Sequence, residues 1–137
     1  MTATTERVDS LLDRPEDIQG QVLPVIFNIF SAWRLTGAQQ MSLLGLSNEK
    51  TFYNWKKNPK SAKLSKDLLE RVSYILGIYK ALEVLFTTPA NADGWITAAS
   101  SAAFFKGRAP IDFITEAGTV VDLSRVRDYL DKERGGW

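Results

Sequence analysis

Amide, hydroxyl and amine side chains are concentrated in one short segment near the middle of the chain. Residues 48–57 read Asn-Glu-Lys-Thr-Phe-Tyr-Asn-Trp-Lys-Lys. Asparagine can pair with the edges of DNA bases, whereas lysines and hydroxyls contact phosphate oxygens. If this segment is one helix, seven of its side chains are predicted to contact DNA: Asn48, Lys50, Thr51, Tyr53, Asn54, Lys56 and Lys57.

Other kinds of chemistry are excluded by the residues that the chain lacks. There is no cysteine and no histidine, so disulfides, Cys/His zinc sites, thiol nucleophiles and histidine acid–base catalysis are excluded. No spacing singles out a carboxylate pair or an activated lysine. Asp128, Asp131 and Glu133 are interpreted as a solvated helix face. We therefore predict no catalytic residue, no metal and no cofactor, and a binding protein rather than an enzyme.

The positive charge is localised. The net charge of the 137 residues is only +1, but residues 36–71 hold seven basic and three acidic side chains, a net charge of +4. The segments before and after this window are net negative. Such a window matches the needs of a phosphate backbone. A solvated lysine face that serves only solubility is the alternative interpretation.

Composition indicates an ordinary globular protein. Apolar residues make up 45% of the chain and charged residues 24%. The apolar stretches are too short for a membrane span, and residues 1–10 do not resemble a signal peptide. We therefore expect a cytoplasmic protein with no membrane contact.

Helical spacing recurs along the chain and alternating strand patterns do not, so the predicted fold class is all-α. Pro24 is placed in the first turn of its helix, and Gly77 inside the long helix should cost about 1 kcal/mol relative to alanine. The predicted helices are Glu6–Asp13, Leu23–Leu35, one from Thr36 to Leu44, one from Ser47 or Asn48 to Lys57, a long one from Ser65 that ends before Pro89, Asn91–Ala99, Pro110–Glu116 and Ser124–Glu133.

Two of these short helices are predicted to form a helix-turn-helix. Gly45 supplies the positive φ of the turn, and Ser47 or Asn48 caps the second helix. Phe52 and Trp55 are three residues apart and should pack inward. A helical hairpin in a three-helix core without a DNA role is the alternative.

The sequence resembles the Xre/MbcA/ParS antitoxin family from about residue 23 to the end. Two features differ from the family pattern: Ala99-Ser100 stand in place of Pro-Asn, and the turn before Thr51 is one residue longer. The most specific matching segments are Leu-Gly-Ile-Tyr-Lys-Ala-Leu at 76–82 and Arg-Gly-Gly-Trp at 134–137, and the others are 44–47, 51–57, 69–75, 95–96, 105–107, 110–112, 118 and 126–131.

This resemblance implies an antitoxin that binds a RES-domain toxin, covers its active site and thereby stops it from degrading NAD⁺. It implies an N-terminal Xre/Cro-like helix-turn-helix domain that binds operator DNA and represses the antitoxin's own operon. It also implies a C-terminal helical toxin-binding domain. The expected ranges are an extension at 1–20, the DNA-binding domain at 21–88 and the toxin-binding domain at 89–137.

The expected toxin-binding residues lie near the C-terminus: Arg127, Arg134, Gly135, Gly136 and Trp137. A tryptophan after two glycines is a plausible interface anchor, although it can also fold back on its own domain. Helix-turn-helix proteins commonly bind DNA as symmetric dimers, so a homodimer within a larger complex is expected. Two alternatives remain: a stand-alone transcriptional regulator, and a toxin-neutralising protein that no longer reads DNA.

Overall fold

Helices form the whole regular structure of residues 18–63 and 65–135, which the computed structural model describes. No strand occurs in these residues, and the predicted all-α class is confirmed. No helix in these ranges is long and apolar enough to cross a membrane. The α-helices are α1 (Ile18–Ala32), α2 (Gly37–Leu44), α3 (Glu49–Lys57), α4 (Lys66–Leu85), α5 (Pro89–Gly94), α6 (Pro110–Ala117) and α7 (Val120–Glu133), with 3-10 turns at Pro59–Ser61, Trp95–Thr97 and Ala103–Phe105.

Helix α1 starts earlier than the sequence predicts. It begins at Ile18, so Pro24 lies inside the helix and its placement in the first turn is wrong. Proline has no N–H to donate to the carbonyl of Gly20. Because Pro24 is exposed, that lost hydrogen bond lies on the solvent side of the helix, and the buried face keeps its apolar spacing. The predicted helix at 6–13 lies outside the described residues.

The buried side chains of both halves form one apolar cluster. Helix α4 is central. Its contact with α7 is more extensive than the contact between any other two elements. The largest fully buried side chains include Phe30 of α1, Trp33 directly after that helix, Ile75 of α4, Phe105 and Ile114. The N-terminal and C-terminal helices therefore depend on a shared core for their relative positions.

Two predicted C-terminal helices have different bounds. The predicted helix at 91–99 is instead the short helix α5 followed directly by the 3-10 turn Trp95–Thr97. The last helix begins at Val120 and not at Ser124. Gly118, which adopts a left-handed conformation (φ 67°), ends α6, so α7 can start only two residues later. The tight α6–α7 corner brings Gly118 against helix α2, which is the contact that matters for the site.

Candidate functional site

Local capping interactions set the geometry of the helix-turn-helix formed by α2 and α3. The Thr36 hydroxyl accepts from the Gln39 N–H at 3.1 Å, and the Gln39 side chain accepts from the Thr36 N–H at 2.9 Å. Gly45 ends α2 with a φ of 72°. Ser47 and Asn48 were both predicted as caps of α3, and Asn48 is the cap: its Oδ1 accepts from the Thr51 N–H at 3.2 Å. The chain therefore enters α3 at a fixed angle.

Helix α3 has one buried edge and one exposed face. Phe52 is fully buried, as predicted, whereas Trp55 is only half-buried against the core. Lys50 and Lys57 are exposed, and the Tyr53 side chain is 60% exposed. An exposed aromatic side chain between lysines gives this face both apolar and charged groups for a nucleic acid.

Two of the predicted DNA-contacting side chains already have partners in the protein. Asn54 Nδ2 donates to Ser61 Oγ at 3.1 Å, which joins α3 to the following 3-10 turn. The Lys56 amine lies 5.6 Å from the centre of the Phe27 ring and 5.3 Å from that of Phe52. These cation–π contacts hold Lys56 towards α1.

The lysines of this region carry uncompensated charge. Within the described residues every ion pair uses an arginine, and the pair between Arg71 and Asp67 is the one in the positive window. The exposed lysines therefore retain a positive field for phosphates. They are Lys50, Lys56, Lys57, Lys60, Lys63 and Lys66.

Arg71 of α4 is a buried charge beneath the helix-turn-helix. Its guanidinium donates to Asp67 at 2.7 Å, to the Ser42 and Leu43 carbonyls at 3.0 and 3.2 Å, and to the Gly118 carbonyl at 3.0 Å. Sequence reasoning missed this residue. The available signal was a charge inside the apolar stripe of α4.

Comparisons with known families assign both halves of the chain. The model described as "Antitoxin Xre-like helix-turn-helix domain" matches residues 16–77. The model described as "Antitoxin Xre/MbcA/ParS C-terminal toxin-binding domain" matches residues 81–136.

The chain belongs to the Xre/MbcA/ParS antitoxin family. A similar protein, "Uncharacterized protein y4oB" of Sinorhizobium fredii, is 44% identical over 114 residues, which cover 83% of this chain and 84% of that protein. No solved structure matches the chain significantly.

Membership of this antitoxin family gives the two ends of the fold different roles. Helices α1 to α3 and most of α4 form the helix-turn-helix DNA-binding domain, and α5 to α7 form most of the toxin-binding domain, whose partner is a toxin protein. The family is not a known enzyme family. The boundary between the two matches falls inside α4, so this helix connects the two halves.

Arg127, predicted as a toxin-binding residue of this antitoxin, lies across α4. Its guanidinium occupies the place that a side chain at Gly77 would take. Its Nε atom is 3.2 Å from Asp131 Oδ2. The side chain keeps 31% of its surface exposed, so part of the guanidinium also faces solvent.

The antitoxin's C-terminal tail begins on an exposed corner. Arg134 Nε lies 3.4 Å from Asp131 Oδ1, and Gly135 is exposed with a φ of 72°. The other two predicted toxin-binding residues, Gly136 and Trp137, lie outside the described residues. Asp131 thus forms ion pairs with two arginines, Arg127 and Arg134, at the end of α7.

An aromatic cluster was not predicted. It has a half-buried outer layer and a buried centre, Phe105. The Arg125 guanidinium lies over two of its rings at 5.6 and 5.3 Å. Burial, and then Glu133, raise the pKa of Tyr129. The rings come from separate elements, so sequence spacing does not reveal the cluster: Trp95, Phe104, Phe105, Phe113 and Tyr129.

Proposed function

We propose that this antitoxin neutralises a RES-domain toxin that degrades NAD⁺, by covering the toxin's active site, and that it represses its own operon. The observation that carries the proposal is the presence of both a helix-turn-helix domain and a toxin-binding domain in one chain. The segments at 76–82 and 134–137 support the choice of a RES-domain partner through their resemblance to this family. A cytoplasmic homodimer within a larger complex is part of the proposal.

DNA binding is assigned to the exposed face of α3. The lysines on this face have no acidic partner among the described residues, and the capped turn holds the helix at one angle. We place the DNA-binding domain at 21–88 and the toxin-binding domain at 89–137. The residues proposed to contact operator DNA are Asn48, Lys50, Thr51, Tyr53, Asn54, Lys56 and Lys57.

The proposed DNA binding is tested with a DNA fragment taken from upstream of the protein's own gene. Fluorescence anisotropy at several salt concentrations should give an affinity that falls as salt rises. The variant Lys50→Ala/Lys57→Ala should lose roughly 0.9 of the logarithmic salt slope for each phosphate contact removed. Lys80→Ala/Lys132→Ala removes the same charge from exposed positions outside α3 and should match wild type. Equal slopes in both double variants would place the DNA elsewhere.

Toxin binding is assigned to the end of α7 and the tail. Arg127 and Arg134 bring two guanidinium groups to one corner, and both keep part of their surface exposed. Exposed arginines and a terminal aromatic are suited to anchoring a protein interface. The residues proposed to contact toxin are Arg127, Arg134, Gly135, Gly136 and Trp137.

The proposed neutralisation of the toxin is tested by co-expression with the product of the neighbouring reading frame. Toxin alone should lower intracellular NAD⁺ and stop growth, and the full chain should restore both. Deletion of residues 135–137, or Arg134→Ala, should weaken the rescue. The matched control Lys132→Ala removes an exposed charge two residues away on α7 and should rescue fully. Unchanged NAD⁺ with toxin alone would contradict the RES assignment, and full rescue by the truncated chain would contradict the role of the tail.

A further inference from the structure

We propose that Arg71 is a positioning residue for the recognition helix α3, because it fastens the helix-turn-helix to the α6–α7 corner of the toxin-binding half. This inference rests on the proposed DNA-binding role of α3. It adds that Arg71 fixes the orientation of that helix. Arg71 does not belong to the predicted DNA-contacting face. It would therefore act through the turn and not through DNA.

The hydrogen bonds of Arg71 join three separate parts of the chain. Nη1 donates to the carbonyls of Ser42 and Leu43 at the end of α2, residues that lie 29 and 28 positions away in sequence. Nη2 donates to the carbonyl of Gly118, 47 positions away. The remaining bond, from Nε, goes to Asp67 one turn back on α4. One guanidinium thus connects α2, α4 and the α6–α7 corner.

Both corners lie too close to their neighbours to accept a side chain without movement. A Cβ atom added at Gly45 would lie 2.9 Å from Arg71 Nε. One added at Gly118 would lie 3.2 Å from Ser42 Oγ. Both glycines adopt positive φ angles, which further disfavours a side chain. Gly45 therefore packs against Arg71 itself, whereas Gly118 packs against Ser42 at the end of α2.

A guanidinium suits this place for two reasons. The last carbonyls of α2 have no partner within the helix and carry the negative end of its dipole, so a cation there is stabilising. A planar fork of donors can serve several carbonyls and a carboxylate at once, which an ammonium cannot do in the same geometry. Arg71 is 7% exposed, so water cannot easily replace these bonds.

The position of α2 decides the position of α3. Residues 45–48 alone separate the two helices, and Gly45 and Asn48 fix that connection. A loss of the Arg71 bonds should loosen the end of α2 and hence the angle of α3. Because Gly118 is inside the segment matched by the toxin-binding domain, a change made there should reach the DNA-binding helix through the same guanidinium.

The test uses the full chain and compares two glycines of the C-terminal half. Gly118→Ala and Gly107→Ala both put a side chain at a positive φ (67° and 80°), but only Gly118 has a neighbour within reach. Arg71→Lys is the third variant. Two readouts are the affinity for the upstream DNA fragment and the salt dependence of that affinity. The third is amide hydrogen exchange of the protein without DNA, measured by mass spectrometry.

Arg71→Lys should weaken DNA binding about tenfold, the effect expected when buried charged hydrogen bonds are lost. Gly118→Ala should also weaken it, because the added methyl presses on Ser42 and shifts the Gly118 carbonyl that Arg71 binds. The salt slope should stay the same because no phosphate contact is removed. Exchange should rise in residues 42–49, and Gly107→Ala should bind within about twofold of wild type. If Arg71→Lys does not fold, the two glycine variants decide the question alone.

Wild-type DNA affinity and turn exchange in Arg71→Lys would overturn the proposal, as would equal effects of Gly118→Ala and Gly107→Ala. Failure of the wild-type chain to bind the DNA fragment would instead count against the proposed function. The exchange comparison requires no DNA, so it would still show whether Arg71 and Gly118 hold the turn.

Discussion

Arg127 of α7 lies across α4 at Gly77, where only a residue without a side chain leaves room for the guanidinium. Arg127 is also bonded to Asp131 at 3.2 Å, and Asp131 lies 3.4 Å from Arg134. A glycine inside a helix ordinarily weakens it. Here it permits the close approach of the two helices that pack most extensively.

The first prediction follows from that crossing. Gly77→Ala should lower the free energy of unfolding by at most about 1 kcal/mol, because the added methyl displaces the flexible end of the Arg127 side chain from α4 and from Asp131. The helix propensity of alanine alone would raise it by about 1 kcal/mol, so the sign of the change decides between the two effects. Urea denaturation measures this difference.

Two variants complete that experiment. Gly94→Ala has no neighbour within 4 Å of the added Cβ and should be neutral or slightly stabilising. The double variant Gly77→Ala/Arg127→Ala should recover part of the loss, because the collision is then absent. A stabilised Gly77→Ala, or a strictly additive double variant, would contradict the steric explanation.

The same contact shows what sequence can and cannot predict. The bounds of α2 and α3 were predictable because their signals are local: Thr36, Gly45 and Asn48 act on groups within a few residues. The role of Gly77 was not predictable, because Arg127 belongs to a distant helix. The sequence revealed only its cost, and the compensating contact exists only after α4 and α7 pack.

The candidate site shows the same division. Spacing along α3 predicted the buried Phe52 and the exposed Lys50 and Lys57. It did not predict that Lys56 turns towards the Phe27 ring, because that requires the packing of α1 against α3. Arg71 also escaped prediction, since its acceptors lie on two separate helices, α2 and α4, and at the α6–α7 corner.

The second prediction separates the two roles of Asn48. Asn48→Asp should keep the stability of the protein within about 0.5 kcal/mol, because aspartate caps a helix as well as asparagine does. Its affinity for the upstream DNA should fall at least about tenfold, since the variant brings a carboxylate towards phosphates and loses an amide donor. Asn48→Ala, by comparison, should lose about 1 kcal/mol of stability. Undiminished DNA binding by Asn48→Asp would remove Asn48 from the DNA-contacting face.

A third prediction distinguishes two adjacent lysines. Lys56→Ala should lower the free energy of unfolding by about 0.5–1 kcal/mol, because its amine interacts with Phe27 and Phe52. Lys57→Ala should leave stability unchanged and reduce the logarithmic salt slope of DNA binding by about 0.9. Thermal unfolding and anisotropy titrations check the two effects. If both variants changed stability equally, the cation–π contacts would not explain the orientation of Lys56.

The fourth prediction concerns alkaline pH. Burial, followed by Glu83 and Asp93, raises the pKa of Tyr79 above its ordinary value of 10.0. The folded protein therefore holds the phenol proton more tightly than the unfolded chain does. Its contribution to stability is fully present below the unfolded pKa and is lost as pH rises through the folded pKa.

Tyr79→Phe has no proton to lose at this position, so its free energy of unfolding should fall less steeply than that of wild type between about pH 9 and about pH 11. Urea denaturation at each pH measures the two slopes, and the difference between the proteins at about pH 7 serves as the baseline for the substitution itself. The remaining tyrosines titrate in both proteins and cancel in the comparison. If the two curves ran parallel over this range, folding would not depend on the protonation of Tyr79, and burial beside Glu83 and Asp93 would not govern the alkaline loss of stability.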